Sequence, residues 1–130
     1  TKAADAVRVL VVDDRALVRE GIANLLVDDP RTALAGEAAE GAEAIAAVER
    51  LRPDAVLMDV NMPGMNGIEA TREIRRHWPE QVVVGMSVQD DAALIESMRA
   101  AGAAAFVAKS ADADELIATL LAQVEQSKPD

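Results

Sequence analysis

Five polar residues each stand where a short apolar run gives out. Asp13 and Asp14 follow Val7–Val12, Asp59 follows Ala55–Met58, Ser87 follows Val82–Met86, and Lys109 follows Ala104–Ala108. If those runs are parallel strands, their ends share one edge, and three carboxylates, a hydroxyl and an ammonium meet in one cleft. Carboxylates packed together repel, and a proton or a hard cation relieves them. Mg²⁺ takes oxygen ligands in octahedral geometry and keeps waters, so one or two carboxylates plus phosphate oxygens suit it. An aspartate in such a place can act as a nucleophile toward phosphorus and form an acyl phosphate. Lys109 and Ser87 could then hold the oxygens of the transferring group.

Taken singly, each residue has a plainer reading. Asp13-Asp14 could cap a helix. Asp59, ahead of Pro63-Gly64, could be a turn aspartate. Ser87 and Lys109 could be surface polar groups, and Phe106 plain core. Their joint placement at strand ends is what favours a site.

The elements that must do the positioning follow from periodicity. The apolar runs are nearly continuous rather than alternating, as in strands covered on both faces; Thr32–Gly36 is a fifth, weaker one. Between them lie helical patterns. Val18, Ile22, Leu25 and Leu26 form one stripe; others are Ile45, Val48 and Leu51, then Ile68, Thr71 and Ile74, then Leu94, Ile95 and Met98. A last helix over Asp112–Gln126 aligns Leu116, Ile117, Leu120, Leu121 and Val124, with Asp112 and Asp114 at its positive end. Asp29-Pro30, Arg52-Pro53 and Trp78-Pro79 end helices before strands, and Gly102 stops the fourth helix. The chain therefore reads as one α/β domain, (βα) five times, a doubly wound parallel sheet with right-handed crossovers. Ligands of such sheets bind at the strand carboxyl ends. The expected boundaries are a flexible segment 1–6, the domain 7–126, and a tail or linker start 127–130.

Composition narrows the function classes. Among 130 residues there is no cysteine, which removes disulfides and thiolate metal sites. Thirteen basic against 23 acidic residues give a formal charge of −10, a surface that repels nucleic acid. No apolar run is long enough to span a membrane and the start has no signal-peptide anatomy, so a soluble, cytoplasmic protein is expected.

The segments Val9–Asp14, Leu57–Gly67, Ser87 and Gly102–Lys109 together resemble the receiver domains of bacterial two-component response regulators, over about residues 7–125. The resemblance implies a flavodoxin-like sheet of order 2-1-3-4-5. It implies Asp59 as phosphoacceptor from a sensor histidine kinase. Mg²⁺ (or Mn²⁺) would be held by Asp13, Asp14, Asp59 and the backbone carbonyl of Asn61. It further implies Lys109 on the phosphoryl oxygens, Ser87 and Phe106 as the switch pair, and Asn61 and Gln89 as residues tuning dephosphorylation. Such a domain catalyses only its own phosphorylation and dephosphorylation. Family members use the fourth helix, fifth strand and fifth helix for output or dimerisation, so a homodimer on phosphorylation is an expectation. The stretch Val18–Leu26 and Gly67–Ala70 resemble receivers of helix-turn-helix (LuxR/NarL-like) transcriptional regulators. DNA would then be bound through an output domain outside these residues, not by this domain. The lack of an initiator Met and the Lys-Pro tail suggest a piece of a longer chain; a stand-alone receiver and a phosphate-independent interaction module are the alternatives.

Some positions depart from the family pattern. Val88 stands where a small Ala is frequent and could restrict access to Asp59. Ser110 replaces a frequent Pro, leaving the cis peptide often found there without its proline. An aspartate-nucleophile phosphohydrolase would also unite Asp, Ser and Lys around Mg²⁺, but it carries Asp-x-Asp after the first strand and a cap. A flavodoxin-like cofactor carrier would need a hydroxyl-rich loop there. Arg15, His77 and the group Arg72, Arg75 and Arg76 read as solvated surface, and Met62 and Met65 as local packing.

Overall fold

Strands and helices alternate along the described residues. The computed structural model describes residues 5–62, 64–87 and 92–127. In order they form β1 (Val7–Val12), α1 (Ala16–Asp28), β2 (Thr32–Ala38), α2 (Gly41–Leu51), β3 (Ala55–Asp59), α3 (Gly67–His77), β4 (Val82–Ser87), α4 (Ala92–Ala101), β5 (Ala105–Ala108) and α5 (Ala113–Ser127). The strands make one parallel sheet in the order β2-β1-β3-β4-β5, as the resemblance to receiver domains implied.

Both faces of the central strands are apolar because both are covered. Leu10, Val12, Val56 and Met58 point into a core closed by Ala44, Ala47 and Val48 of α2, Ala70 and Ile74 of α3, and Met98 of α4. Val9, Val11, Ala55 and Leu57 point the other way, onto Leu26 of α1 and Leu116, Leu120 and Val124 of α5. Each such Leu or Val removed from water contributes roughly 1.5–3 kcal/mol, which fixes the register that brings the strand ends together.

The helix stripes agree with the expected faces except in α1. Val18, Ile22 and Leu26 follow one i, i+4 line inward, whereas Leu25 lies one ridge over and is exposed. In α2 the buried face is largely alanine, Ala44 and Ala47, which apolar spacing alone does not single out.

Helix ends are set by identifiable groups. At α3, Asn66 accepts from the Glu69 N–H (2.9 Å) and the Glu69 side chain accepts from the Asn66 N–H (3.4 Å), a reciprocal cap. After α4, Gly102 takes φ +116° and its N–H donates to the Arg99 carbonyl, the stop expected there. Arg75 departs from the expected solvated group. Its guanidinium turns back onto the carbonyls of Pro79 and Gln81 (3.0 Å to the latter), closing the loop into β4, while Arg72 and Arg76 are exposed.

Candidate functional site

The carboxyl edge of the sheet gathers the chemistry. Parallel pairing sets Val12 beside Met58 and Asp59 beside Met86, so Asp13, Asp59 and Ser87 all emerge at one level. β5 ends opposite Ser87, whose carbonyl accepts from the Lys109 N–H at 2.8 Å, and this brings Lys109 to the same edge. Asp13, Asp59 and Ser87 are buried; Asp14 is exposed.

Lys109 bridges the two buried acids. Its Nζ lies 2.7 Å from Asp13 Oδ2 and 3.2 Å from Asp59 Oδ1. One carboxylate oxygen from each of Asp13, Asp14 and Asp59 falls within 4.8 Å of the others. One ammonium therefore faces a cluster of three acids, and the pocket stays negative. The Asp59 carboxyl is pushed up to about 6, because burial disfavours its charge and Asp13 repels it, with Lys109 and the Asn61 N–H partly offsetting both. Asp59 Oδ1 takes the Lys109 contact and the Asn61 N–H at 3.3 Å; Oδ2 is buried without a hydrogen-bond partner. A buried anionic oxygen left without a donor is costly, and hard oxygen donors with excess negative charge fit a dication such as Mg²⁺.

The loops are shaped to keep this arrangement tight. Gly67 opens α3 against the strand that carries Asp59. A Cβ there would run into the Asp59 carbonyl and come within 2.8 Å of Val60 Cα, and the Gly67 N–H donates to the Val60 carbonyl at 3.0 Å. Met65 packs in the same way on Gly41 at the start of α2, and Met62 is buried, so both loop methionines do pack locally.

At the first strand, Asp13 Oδ1 accepts from the Arg15 N–H at 2.8 Å, while the helix cap itself is Arg15, with no side-chain cap bond. Neither aspartate is thus the cap of α1: Asp13 turns onto the N–H of the cap residue, and its other oxygen pairs with Lys109. The Arg15 side chain is exposed, as expected. Arg19, which sequence reading passed over, reaches the site: Nη1 donates to the Asp13 carbonyl at 2.6 Å and Nε to Glu37 at 3.1 Å.

Phe106 sits on β5 opposite Gly85 and packs with Met98 against the core. A Cβ at Gly85 would come 2.8 Å from the Phe106 ring and 2.9 Å from Met98. Gln89 and Val88 lie outside the described residues. Among the described residues no peptide bond is cis, including that between Lys109 and Ser110. His77 is about half exposed and lies 3.5 Å from Glu73 on its own helix, away from the acid cluster.

Residues 9–121 match the response regulator receiver domain family. The chain belongs to it. This receiver is 41% identical over 111 residues to the response regulator GacA of Pseudomonas viridiflava, a match covering 85% of the chain and 52% of that protein. A two-component response regulator of the LuxR family from Aurantimonas sp. SI85-9A1 superposes with a TM-score of 0.89 at 35% identity, covering 93% of the chain and 86% of the other. The signal receiver domain of the putative response regulator NarL from Mycobacterium tuberculosis gives 0.89 at 31% identity, covering 93% and 98%. The chain spans about half the length of the curated relatives it matches first. No helix among the described residues of the receiver is long and apolar enough to cross a membrane.

Proposed function

We propose that this receiver takes a phosphoryl group on Asp59 from a sensor histidine kinase, with Mg²⁺ or Mn²⁺ held beside it, and thereby controls a DNA-binding output domain. The observation that carries this reading is Lys109 spanning Asp13 and Asp59 inside a three-carboxylate cluster. Asp13, Asp14, Asp59 and the Asn61 carbonyl would hold the cation. When bound, it neutralises the pocket and draws charge from phosphoryl oxygens.

The chain's own residues do the rest. A carboxylate oxygen of Asp59 bonds to phosphorus as the phosphorus–nitrogen bond of the kinase phosphohistidine breaks and its electron pair stays on the imidazole. Lys109 holds the Asp59 side chain in place and offers its remaining N–H to an equatorial oxygen. Burial of Asp59 keeps bulk water from the acyl phosphate. Ser87 at the carboxyl edge and Phe106, two residues further back on the adjacent strand, report occupancy to the face of α4, β5 and α5, a shift between two populated arrangements. That face would also form the homodimer. Asn61 and Gln89 set the lifetime. In this reading the receiver performs only its own phosphorylation and dephosphorylation, in the cytoplasm. The transcriptional output draws support from the names of its relatives, a transcriptional regulatory protein of Brevibacillus brevis among them.

Acetyl phosphate with Mg²⁺ tests the site. Intact mass should show one phosphoryl group on the parent, and Asp59→Asn should lower the rate roughly a hundredfold or more. Equal labelling of both would remove Asp59 from the role.

A further inference from the structure

We infer that Arg19 is a positioning residue for the acid pocket: its guanidinium fixes the main chain at Asp13, and so aims the Asp13 carboxylate at Lys109 and at the cation position. The inference rests on the proposed phosphorylation site. It comes from Asp13 having a partner from a different part of the fold on each polar atom. Its N–H donates to the Ala38 carbonyl of β2 (3.1 Å), Oδ1 accepts from the Arg15 N–H (2.8 Å), Oδ2 meets Lys109 (2.7 Å), and its carbonyl accepts from Arg19 Nη1 (2.6 Å).

Two of these partners are side chains: Lys109 belongs to the acid cluster itself, whereas Arg19 is anchored outside it. Arg19 is one turn inside α1, and its Nε is held by Glu37, the residue before the end of β2 (3.1 Å). One planar fork thus ties α1 to the carboxyl ends of β1 and β2, a geometry that lysine's single ammonium cannot reproduce. The need for it is local. The cap position of α1 is an arginine without a side-chain cap bond, and the first turn of α1 holds no acid. Within the Asp13–Asp14–Arg15 turn itself the hold is the bond from the Arg15 N–H to Asp13 Oδ1, and the Asp13 carbonyl is left to Arg19. Glu37 also matters electrically, because it balances the arginine charge that would otherwise oppose a dication beside Asp13.

The test uses the whole chain and two readouts, one of them without metal. In Arg19→Ala, amide exchange at Arg15 should speed up in the metal-free protein as the Asp13 turn loosens. The Mg²⁺ dissociation constant, followed by amide shifts of Asp13, Asp14 and Asn61, should rise on the order of tenfold. The phosphorylation rate with acetyl phosphate should fall at low Mg²⁺ and recover at saturating Mg²⁺. Arg19→Lys, which keeps the charge and loses the fork, should show the same pattern, and it guards against a poorly folded alanine variant. Parent-like Mg²⁺ affinity and exchange in both variants overturn the inference while leaving the site intact. A parent that neither binds Mg²⁺ nor takes phosphate on Asp59 overturns the site reading itself, and this inference with it.

Discussion

The two edges of the sheet use charge in opposite ways. At the amino edge, charged groups finish the backbone. Arg8 donates to the carbonyls of Leu51 and Arg52 (both 3.0 Å), Asp54 accepts from the Arg8 N–H (2.9 Å), and Arg75 closes the loop before β4. These are half-buried or exposed groups, and each contact satisfies a carbonyl or N–H that a helix or strand end leaves open. At the carboxyl edge, charge is buried and only partly balanced: Asp13 and Asp59 share one ammonium. The first edge is built for stability. The second holds unfavourable energy that a bound cation or phosphoryl chemistry can release.

Removing the shared ammonium breaks this contrast most sharply. Lys109→Met should destabilise the metal-free protein by about 3 kcal/mol, since two buried acids lose their counter-charge and Asp59 can recover part of that by taking a proton. Added Mg²⁺ should restore much of the loss; urea melts with and without the ion would show it. A variant as stable as the parent without metal would mean that the acid pair is not strained.

A smaller effect of opposite sign is expected at Asp59. Its carboxyl sits near 6 in the fold against 3.8 ordinarily, so the folded state binds its proton more tightly. The favourable contribution is complete below the unfolded value and is lost as pH rises through about 6. Without metal, Asp59→Asn should therefore be more stable than the parent by on the order of 2 kcal/mol at pH 7–8, with the gap closing toward pH 4. Denaturant midpoints across that range check both size and sign; a gap that widens on acidification would contradict the origin given for the shift.

The smallest change is expected at the other edge. Arg8→Ala should cost about 1 kcal/mol, the worth of ordinary hydrogen bonds to carbonyls that water can partly replace. It should leave labelling of Asp59 unaltered. A slower acetyl phosphate reaction in that variant would show that the edges are coupled.

The site was more legible in the sequence than its supports were. A polar residue after an apolar run is visible one strand at a time, and parallel topology then puts Asp13, Asp59, Ser87 and Lys109 together with no knowledge of side-chain geometry. Strand ends were legible to within a residue or two for the same reason. Arg19 was not, because its partners are a carbonyl and a residue on another strand, neither of which periodicity encodes. The α3 cap was written plainly as Asn66-x-x-Glu69 and could have been read. Leu25 misled because a 3.6-residue period makes the edge of a stripe look like its centre, and Arg75 because an arginine near a helix end serves backbone carbonyls as readily as solvent.

The glycine at the start of α3 has a consequence for how such a domain can change over time. Because Gly67 is clamped against Asp59 and Val60, the two ends of the intervening loop are pinned to each other. The stretch that joins them therefore leaves from one fixed point and returns to another close by. Loop closure is entropically cheap to vary in length and composition once its ends are held. Changes between those points need not displace the aspartate at the root, provided that the Asn61 N–H still meets Asp59 and Asn66 still caps α3. Position 67 itself has no room for a side chain, because a Cβ there would run into the Asp59 carbonyl.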